Sequence, residues 1–369
     1  MNRLGLLAAA ASLAAVATIW SMLELAILSG PVEGPSYLAV LLSIVWGSSY
    51  AAGLSLGRIL TRNPATWRLP FTISLALIAL CLAYSLSSDI SENLVGLLTV
   101  YSVVTLVLGI LNNSTSKIAV ETLPVEAWSE VALLLRGLVG VLHAMMSLLV
   151  GRLLLAVYGY DLEAAIEILA PLAVLGIVVA ASSFRAPVIP ETVLASLDKS
   201  IDSLVFGEAT GRESISWTIV VIAAAASILK MLAIQDASSV KPEAALPVYA
   251  AFYTIGVLVG IRSSLGMISL EAFLGIVAAS IAPDPILRLA AGVSAAGVGE
   301  AGLFYRALTS NPSRAGAVML KVSLAAIAIG LLVEGLQTML GFSYDDLLGA
   351  ISVTVVLTGI ARNRGPRWS

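Results

Sequence analysis

Residues 37–62 read YLAVLLSIVWGSSYAAGLSLGRILTR. From Tyr37 to Gly57 there is no charged side chain; Arg58 closes the run and Arg62 follows one helical turn later. The hydrocarbon core of a bilayer is about 30 Å thick, which takes about 20 mostly apolar helical residues to cross. An uncharged run of this length ending on arginine predicts a membrane-spanning helix whose last turn lies at the cytoplasmic boundary, where basic residues collect. Gly53 and Gly57 stand four apart on one face of it, a small-xxx-small spacing that lets two helices approach closely.

The same pattern recurs along the chain. Of its 369 residues, 59% are hydrophobic and only 12% charged, and the mean hydropathy is +0.99. A soluble protein carries about 25% charged residues, so this chain lacks the charge to coat a soluble globule. Apolar runs predict spans at 5–28, 37–57, 69–87, 94–111, 131–157, 164–182, 215–235, 245–261, 266–282, 285–305, 316–340 and 347–361. The fold class is an all-α polytopic membrane protein of twelve transmembrane helices. The first run exceeds the roughly 7–15 apolar residues of a secretory signal and is read as an uncleaved helix. No domain is basic enough for nucleic acid. The single cysteine, Cys81, lies in an apolar run, so no disulfide or cysteine–metal site follows.

The charged residues test this division independently. With the N-terminus in the cytoplasm, fifteen of the twenty basic residues fall in cytoplasmic segments, among them Arg3, Arg58, Arg62, Arg68, Arg136, Arg262 and Arg314. The outer loops hold only Lys241, but many acidic groups, such as Glu33, Asp89, Glu92, Asp161 and Asp284. Both termini are therefore expected in the cytoplasm. The long polar segment 183–214 separates an N-terminal six-helix bundle, 1–182, from a C-terminal one, 215–369. After Pro190, Leu194, Leu197, Ile201 and Leu204 recur at helical spacing between Asp198, Lys199 and Asp202. That pattern fits an amphipathic helix on the cytoplasmic face or a plain tether. Helix eight also ends Gly256-Val-Leu-Val-Gly260-Ile-Arg262, which echoes Gly53-Leu-Ser-Leu-Gly57-Arg58 at the end of helix two. Such an internal echo is expected of two related halves.

Six plus six helices, cytoplasmic termini and a long central loop resemble the major facilitator superfamily of secondary transporters. The signature of that family after its second helix is Gly-x-x-x-Asp-Arg with further basic residues. Gly53, Arg58 and Arg62 match it, and Gly57 stands where the family has aspartate. The resemblance makes Gly53, Gly57, Arg58 and Arg62 the cytoplasmic gate motif. It also implies that helices 1, 4, 7 and 10 line a central cavity, that 2, 5, 8 and 11 flank it, and that the third helix of each triplet faces lipid. Helix five carries Gly137, Gly140 and Gly151 but lacks the proline that many proton-driven exporters have there.

An ionised group at mid-span costs about 2.5–3.5 kcal/mol on insertion scales and faces a partner or a wet cavity. The spans hold Glu24, Arg152, Lys230, Glu271, Arg288, Glu300, Lys321 and Glu334, with the only histidine, His143. Matched depth and opposite sign pair Glu24 with Lys230, Glu334 with Arg288 or Arg152, and Glu300 with Lys321. Such charges are gates that open and close or solute contacts, static ties between helices, or side chains that snorkel to the membrane surface. Glu24, Glu300 and Glu334 are the carboxyls a coupling proton would use, and the imidazole of His143 suits proton transfer or a structural hydrogen bond. Asn112 and Asn113 are expected to end helix four, as caps or solute contacts. Trp46, Tyr50, Tyr249 and Tyr253 are pathway-lining or packing aromatics. Gly297-Val-Gly299-Glu-Ala-Gly302 matches a dinucleotide fingerprint, but it sits inside a span with no strand before it.

These readings converge on a multi-pass transporter of the cell membrane, monomeric, that moves a small solute by alternating access. A proton is one candidate coupling ion. The substrate and coupling candidates are Glu24, His143, Arg152, Lys230, Arg288, Glu300, Lys321 and Glu334. Four basic residues within spans favour an anionic or zwitterionic metabolite; export of a cationic or hydrophobic compound is the alternative. A membrane scaffold, a receptor or a lipid-modifying enzyme is the reading from another class. No catalytic constellation, metal site or cofactor is expected.

Overall fold

The computed structural model describes residues 3–29, 37–61, 66–87, 93–121, 128–155, 162–184, 217–237, 242–303, 312–341, 346–347, 349–350 and 352–354. Among these residues there is no strand, and the helices are α1 (Arg3–Ser29), α2 (Tyr37–Thr61), α3 (Leu69–Ser87), α4 (Leu94–Glu121), α5 (Trp128–Leu149), α6 (Leu162–Ser183), α7 (Trp217–Asp236), α8 (Pro242–Arg262), α9 (Leu265–Ile281), α10 (Pro285–Ala296) and α11 (Pro312–Leu340). Two of them continue as π-helical turns, α5 through Val150–Leu155 and α10 through Gly297–Ala301. Nine helices among the described residues are long and apolar enough to cross a membrane. Of the twelfth expected span, residues 347, 349–350 and 352–354 are helical, and 355–361 lie outside the described residues. So do Arg62 and residues 185–216, with the amphipathic segment expected after Pro190.

Local chemistry sets several helix starts. Asp284 caps α10, its Oδ1 accepting from the backbone amides of Ile286 at 2.8 Å and Leu287 at 3.1 Å, with Pro285 in the first turn. Asn93 does the same for α4, accepting from the Val95 and Gly96 amides. At its other end α4 runs well past the expected limit at 111. Asn112 and Asn113 are therefore mid-helix, not caps. Their polarity is absorbed sideways: Asn113 Nδ2 donates to the Leu54 carbonyl of α2 at 3.0 Å, and Thr115 donates back to the Leu111 carbonyl at 2.6 Å.

Burial sorts the helices as a lipid solvent requires. The helices α1 and α7 are enclosed by protein for most of their length. By contrast, α3, α6 and α9 turn Leu80, Leu86, Leu172, Leu175, Leu274 and Ile281 outward. Helices α1–α6 pack on one another, as do α7–α11. The two groups meet chiefly along α2 against α11 and α5 against α8. Small residues admit both seams: a Cβ on Gly47 would stand 1.9 Å from Ser323 Oγ of α11, and one on Gly140 2.1 Å from Thr254 Cγ2 of α8.

Inside each group glycines bring helix backbones into contact, and one such pair recurs in both. A Cβ on Gly53 of α2 would fall 2.2 Å from the Leu106 carbonyl oxygen of α4, and one on Gly109 of α4 2.6 Å from the Tyr50 carbonyl. In the other group, a Cβ on Gly256 of α8 would fall 2.3 Å from the Ser294 carbonyl of α10, and one on Gly297 2.6 Å from the Tyr253 carbonyl. The residues match one for one in spacing: Tyr50, Gly53 and Gly57 with Tyr253, Gly256 and Gly260, and Leu106 and Gly109 with Ser294 and Gly297. The glycine echo is thus one helix–helix contact built twice.

Because these carbonyls cannot swing aside, Gly53→Val and Gly256→Val are each expected to destabilise the protein by about 1–3 kcal/mol or more through overpacking. Gly335, with open space around its Cα, should tolerate Gly335→Ala with no loss. Thermal unfolding in detergent checks all three.

Candidate solute cavity

Glu24, in the later part of α1, is fully buried and meets three other helices. The Lys230 ammonium of α7 lies 3.3 Å from its Oε1, and both side chains are at 0% exposure. The Tyr101 hydroxyl of α4 donates to the same oxygen at 2.7 Å, and the Tyr249 hydroxyl of α8 donates to Oε2 at 2.6 Å. Lys230 is also boxed by rings, 4.8 Å from the centroid of Trp20, 5.4 Å from Trp46 and 5.9 Å from Tyr253. Aromatic faces attract a desolvated ammonium by about 2 kcal/mol. The buried charges are therefore neutralised twice over, by each other and by hydroxyls and rings. Breaking such a tie by removing one partner costs about 3–5 kcal/mol, since it strands the other.

Next to this cluster, on the side towards the start of α1, is a cavity with about 90 Å³ open to the centre of a water molecule, room for several waters. Both groups of helices line it. Trp20 (α1), Trp46 and Tyr50 (α2), Asn112 (α4), and Arg136, Gly140 and His143 (α5) come from the first group. Tyr253 and Thr254 (α8), Glu300 on the π turn after α10, and Met319 (α11) come from the second. Trp46 and Tyr50 stack at 5.4 Å between centroids, and Tyr249 and Tyr253 stack at 6.1 Å, the same ring pair on matching turns of α2 and α8. Asn112 Nδ2 donates to the Tyr50 hydroxyl in a short contact, and the Tyr253 hydroxyl donates to Glu300 Oε2 at 3.5 Å. His143 is buried, with Nε2 3.2 Å from Ser21 Oγ of α1. A π turn in a helix frequently marks a functional position.

The other charges expected at depth are elsewhere. Arg288 pairs with Asp236 at 2.6 Å between the start of α10 and the end of α7. Lys321 does not meet Glu300; it is exposed and lies 5.7 Å over the ring of Trp217, where its long stem reaches the edge of the bundle. Arg152 and Glu334 are exposed on α5's π turn and on α11. Glu271 accepts from Ser263 at 2.6 Å in the turn between α8 and α9. None of Arg152, Lys230, Arg288 and Lys321 lines the cavity. Arg58 is at the cytoplasmic end expected for α2, and Gly53 and Gly57 face α4. Tyr101 and Arg136 complete the site without having been singled out for it, and Tyr249, expected as a pathway-lining or packing aromatic, is the hydrogen-bond partner of Glu24. The sequence does carry a signal for the paired tyrosines: Tyr50 and Tyr253 each precede the repeated glycine by three residues, and Gly109 and Gly297 each precede Asn112 and Glu300 by three.

The described residues form an all-helical bundle with a cavity, largely apolar but carrying a few polar groups, between two groups of helices. Solved structures give it a family fold. The chain matches the xylose transporter XylE from E. coli in a partially occluded inward-open conformation with a TM-score of 0.62, at 11% identity over 99% of each chain. It matches FucP, a major facilitator superfamily transporter in an outward conformation, at 0.55 with 13% identity, covering 97% of this chain and 98% of that one. It matches a point mutant of the nucleoside transporter NupG at 0.52 with 15% identity, covering 95% and 99%. No family model and no curated protein matches the sequence. The chain therefore has the fold of the major facilitator superfamily.

Glu24→Gln and Lys230→Met should each lower the melting temperature, by the equivalent of about 3–5 kcal/mol, while the double variant should lie closer to the parent than either single. Tyr249→Phe, which removes one hydrogen bond to a charged group, is expected to cost about 1.5–3 kcal/mol. A double-mutant cycle read by thermal unfolding measures the coupling.

Proposed function

We propose that the protein is a divergent major facilitator superfamily secondary transporter that moves a small polar solute across the plasma membrane by alternating access. In this reading bundles 1–182 and 215–369, joined by 183–214, are twelve helices with both termini cytoplasmic, and the monomer is the working unit. The observation that carries it is the cavity between the two groups of helices, closed at one end by the buried Glu24–Lys230 tie. With the N-terminus inside, that tie shuts the outer entrance and the cavity faces the cytoplasm. Opening outward then requires Glu24 and Lys230 to part. The solute or a proton compensates the charges released, which couples binding to movement.

One acidic and one basic side chain on the wall, Glu300 from the second half and Arg136 from the first, favour a zwitterionic metabolite. A simple anion is less well served, because none of the four basic residues first counted within spans reaches the cavity. Glu300 and His143, both buried on the wall, are the proposed proton-handling groups. A second reading, export of cationic or hydrophobic compounds, is favoured by the four rings of Trp20, Trp46, Tyr50 and Tyr253.

Purified protein screened by thermal shift against metabolites and drugs should be stabilised by one chemical class; ligand at about 100-fold its Kd adds about 2.7 kcal/mol. That class should accumulate saturably in proteoliposomes, and Glu24→Gln should reduce uptake. Stabilisation by no class, with no accumulation of any solute, overturns the proposal.

A further inference from the structure

We propose that Asn112 and Glu300 together receive a protonated amine of the solute, a primary ammonium bridging the two halves. This rests on the transporter reading and names the chemistry of its site.

The two residues occupy matching places in the repeated contact. Asn112 stands three residues after Gly109, against Tyr50; Glu300 stands three after Gly297, against Tyr253. Each tyrosine engages one polar end of its partner. The amide nitrogen of Asn112 goes to Tyr50, and Oε2 of Glu300 takes the hydroxyl of Tyr253. What is left on each side is an acceptor. Asn112 Oδ1 and Glu300 Oε1 are buried and meet no donor at hydrogen-bond distance, although the Ser227 hydroxyl of α7 stands near Glu300, and both residues line the same cavity. An unsatisfied buried acceptor is costly and costlier on a charged group, so the wall is built for a ligand that brings donors to both halves at once.

Three ligand chemistries compete for two such acceptors. A hydroxyl has a single donor and no charge, so it satisfies one oxygen and adds nothing to the partial compensation that Lys230 gives the Glu300 carboxylate. A quaternary ammonium brings charge but no N–H. A primary ammonium brings both, with three donors. The surrounding rings of Trp20, Trp46, Tyr50 and Tyr253 add attraction for a cation. The protein already solves the same problem beside the cavity, where the Lys230 ammonium is held by a glutamate and three aromatic faces. The two halves differ in one respect: an amide on the first and a carboxylate on the second give the ammonium one neutral and one charged anchor.

The test is calorimetry and thermal shift on the full-length purified protein with two matched series. One compares amino acids with their α-hydroxy acid and N-trimethyl counterparts, and the other compares n-propylamine with n-propanol and propyltrimethylammonium. The primary amines are expected to bind at least about tenfold more tightly than either analogue, the value of a hydrogen bond to a charged group. Glu300→Gln should abolish that preference, Asn112→Leu should weaken amine binding about fivefold, and Asn112→Asp should strengthen it. Equal binding of the hydroxy or trimethyl analogues overturns the amine site, as does an unchanged preference in Glu300→Gln. In either case, saturable transport of another solute leaves the transporter reading standing. Should Glu300→Gln not fold, the ligand series on the parent protein and Asn112→Asp still decide. If no solute of any class binds or accumulates, both proposals fail.

Discussion

A carboxylate and an ammonium are held together at Glu24 and Lys230 where neither water nor lipid can solvate them. In a bilayer that is tolerable only if every remaining valence is met. The sequence meets them from four directions: a hydroxyl from α4, a hydroxyl from α8, and the faces of Trp20 and Trp46 from α1 and α2. The demand to satisfy one ion pair thus fixes the rotation of five helices, α1, α2, α4, α7 and α8, about their own axes. It also explains why α1 and α7 are the most enclosed of the described helices, and why the cavity begins where the pair ends.

The repeated contact supplies the second half of the logic. Lipid gives no hydrophobic push between helices, so close packing of small residues has to hold them. Gly53, Gly57 and Gly109 do this in the first half, and Gly256, Gly260 and Gly297 in the second. The same turns present Tyr50 and Tyr253 to the cavity, with Asn112 and Glu300 opposite them. One structural unit therefore fixes the packing of each half and the chemistry of its share of the wall.

Much of this was legible in the sequence, because the bilayer imposes a length and a charge pattern that no local context overrides. The apolar runs at 5–28, 69–87 and 164–182 differ from α1, α3 and α6 by only a residue or two at most ends. Depth and sign alone pair Glu24 with Lys230. They fail for Glu300 and Lys321, because depth says nothing about rotation: Lys321 faces outward from α11 while Glu300 faces the cavity. The extension of α4 past 111 was hidden for a related reason. Asn112, Asn113 and Thr115 look like a polar terminus in one dimension, and only the structure shows that the two asparagines bond to α2 while Thr115 bonds back to Leu111 of its own helix. The partner tyrosines are only half visible: Tyr249 is expected to line the pathway or to pack, while nothing in the apolar run around Tyr101 marks it until a buried glutamate is placed between the two.

The backbone-to-backbone seating of α2 on α4 and of α8 on α10 has a mechanical corollary. With peptide carbonyls pressed against glycine Cα atoms, each pair packs without an intervening layer of side chains that could repack to let it slide or twist. At the α2–α11 and α5–α8 seams, by contrast, the groups that face the glycines are side chains: Ser323 and Val40 in the first and Thr254 in the second. In the alternating access proposed above, those two seams would be the axle on which the halves turn.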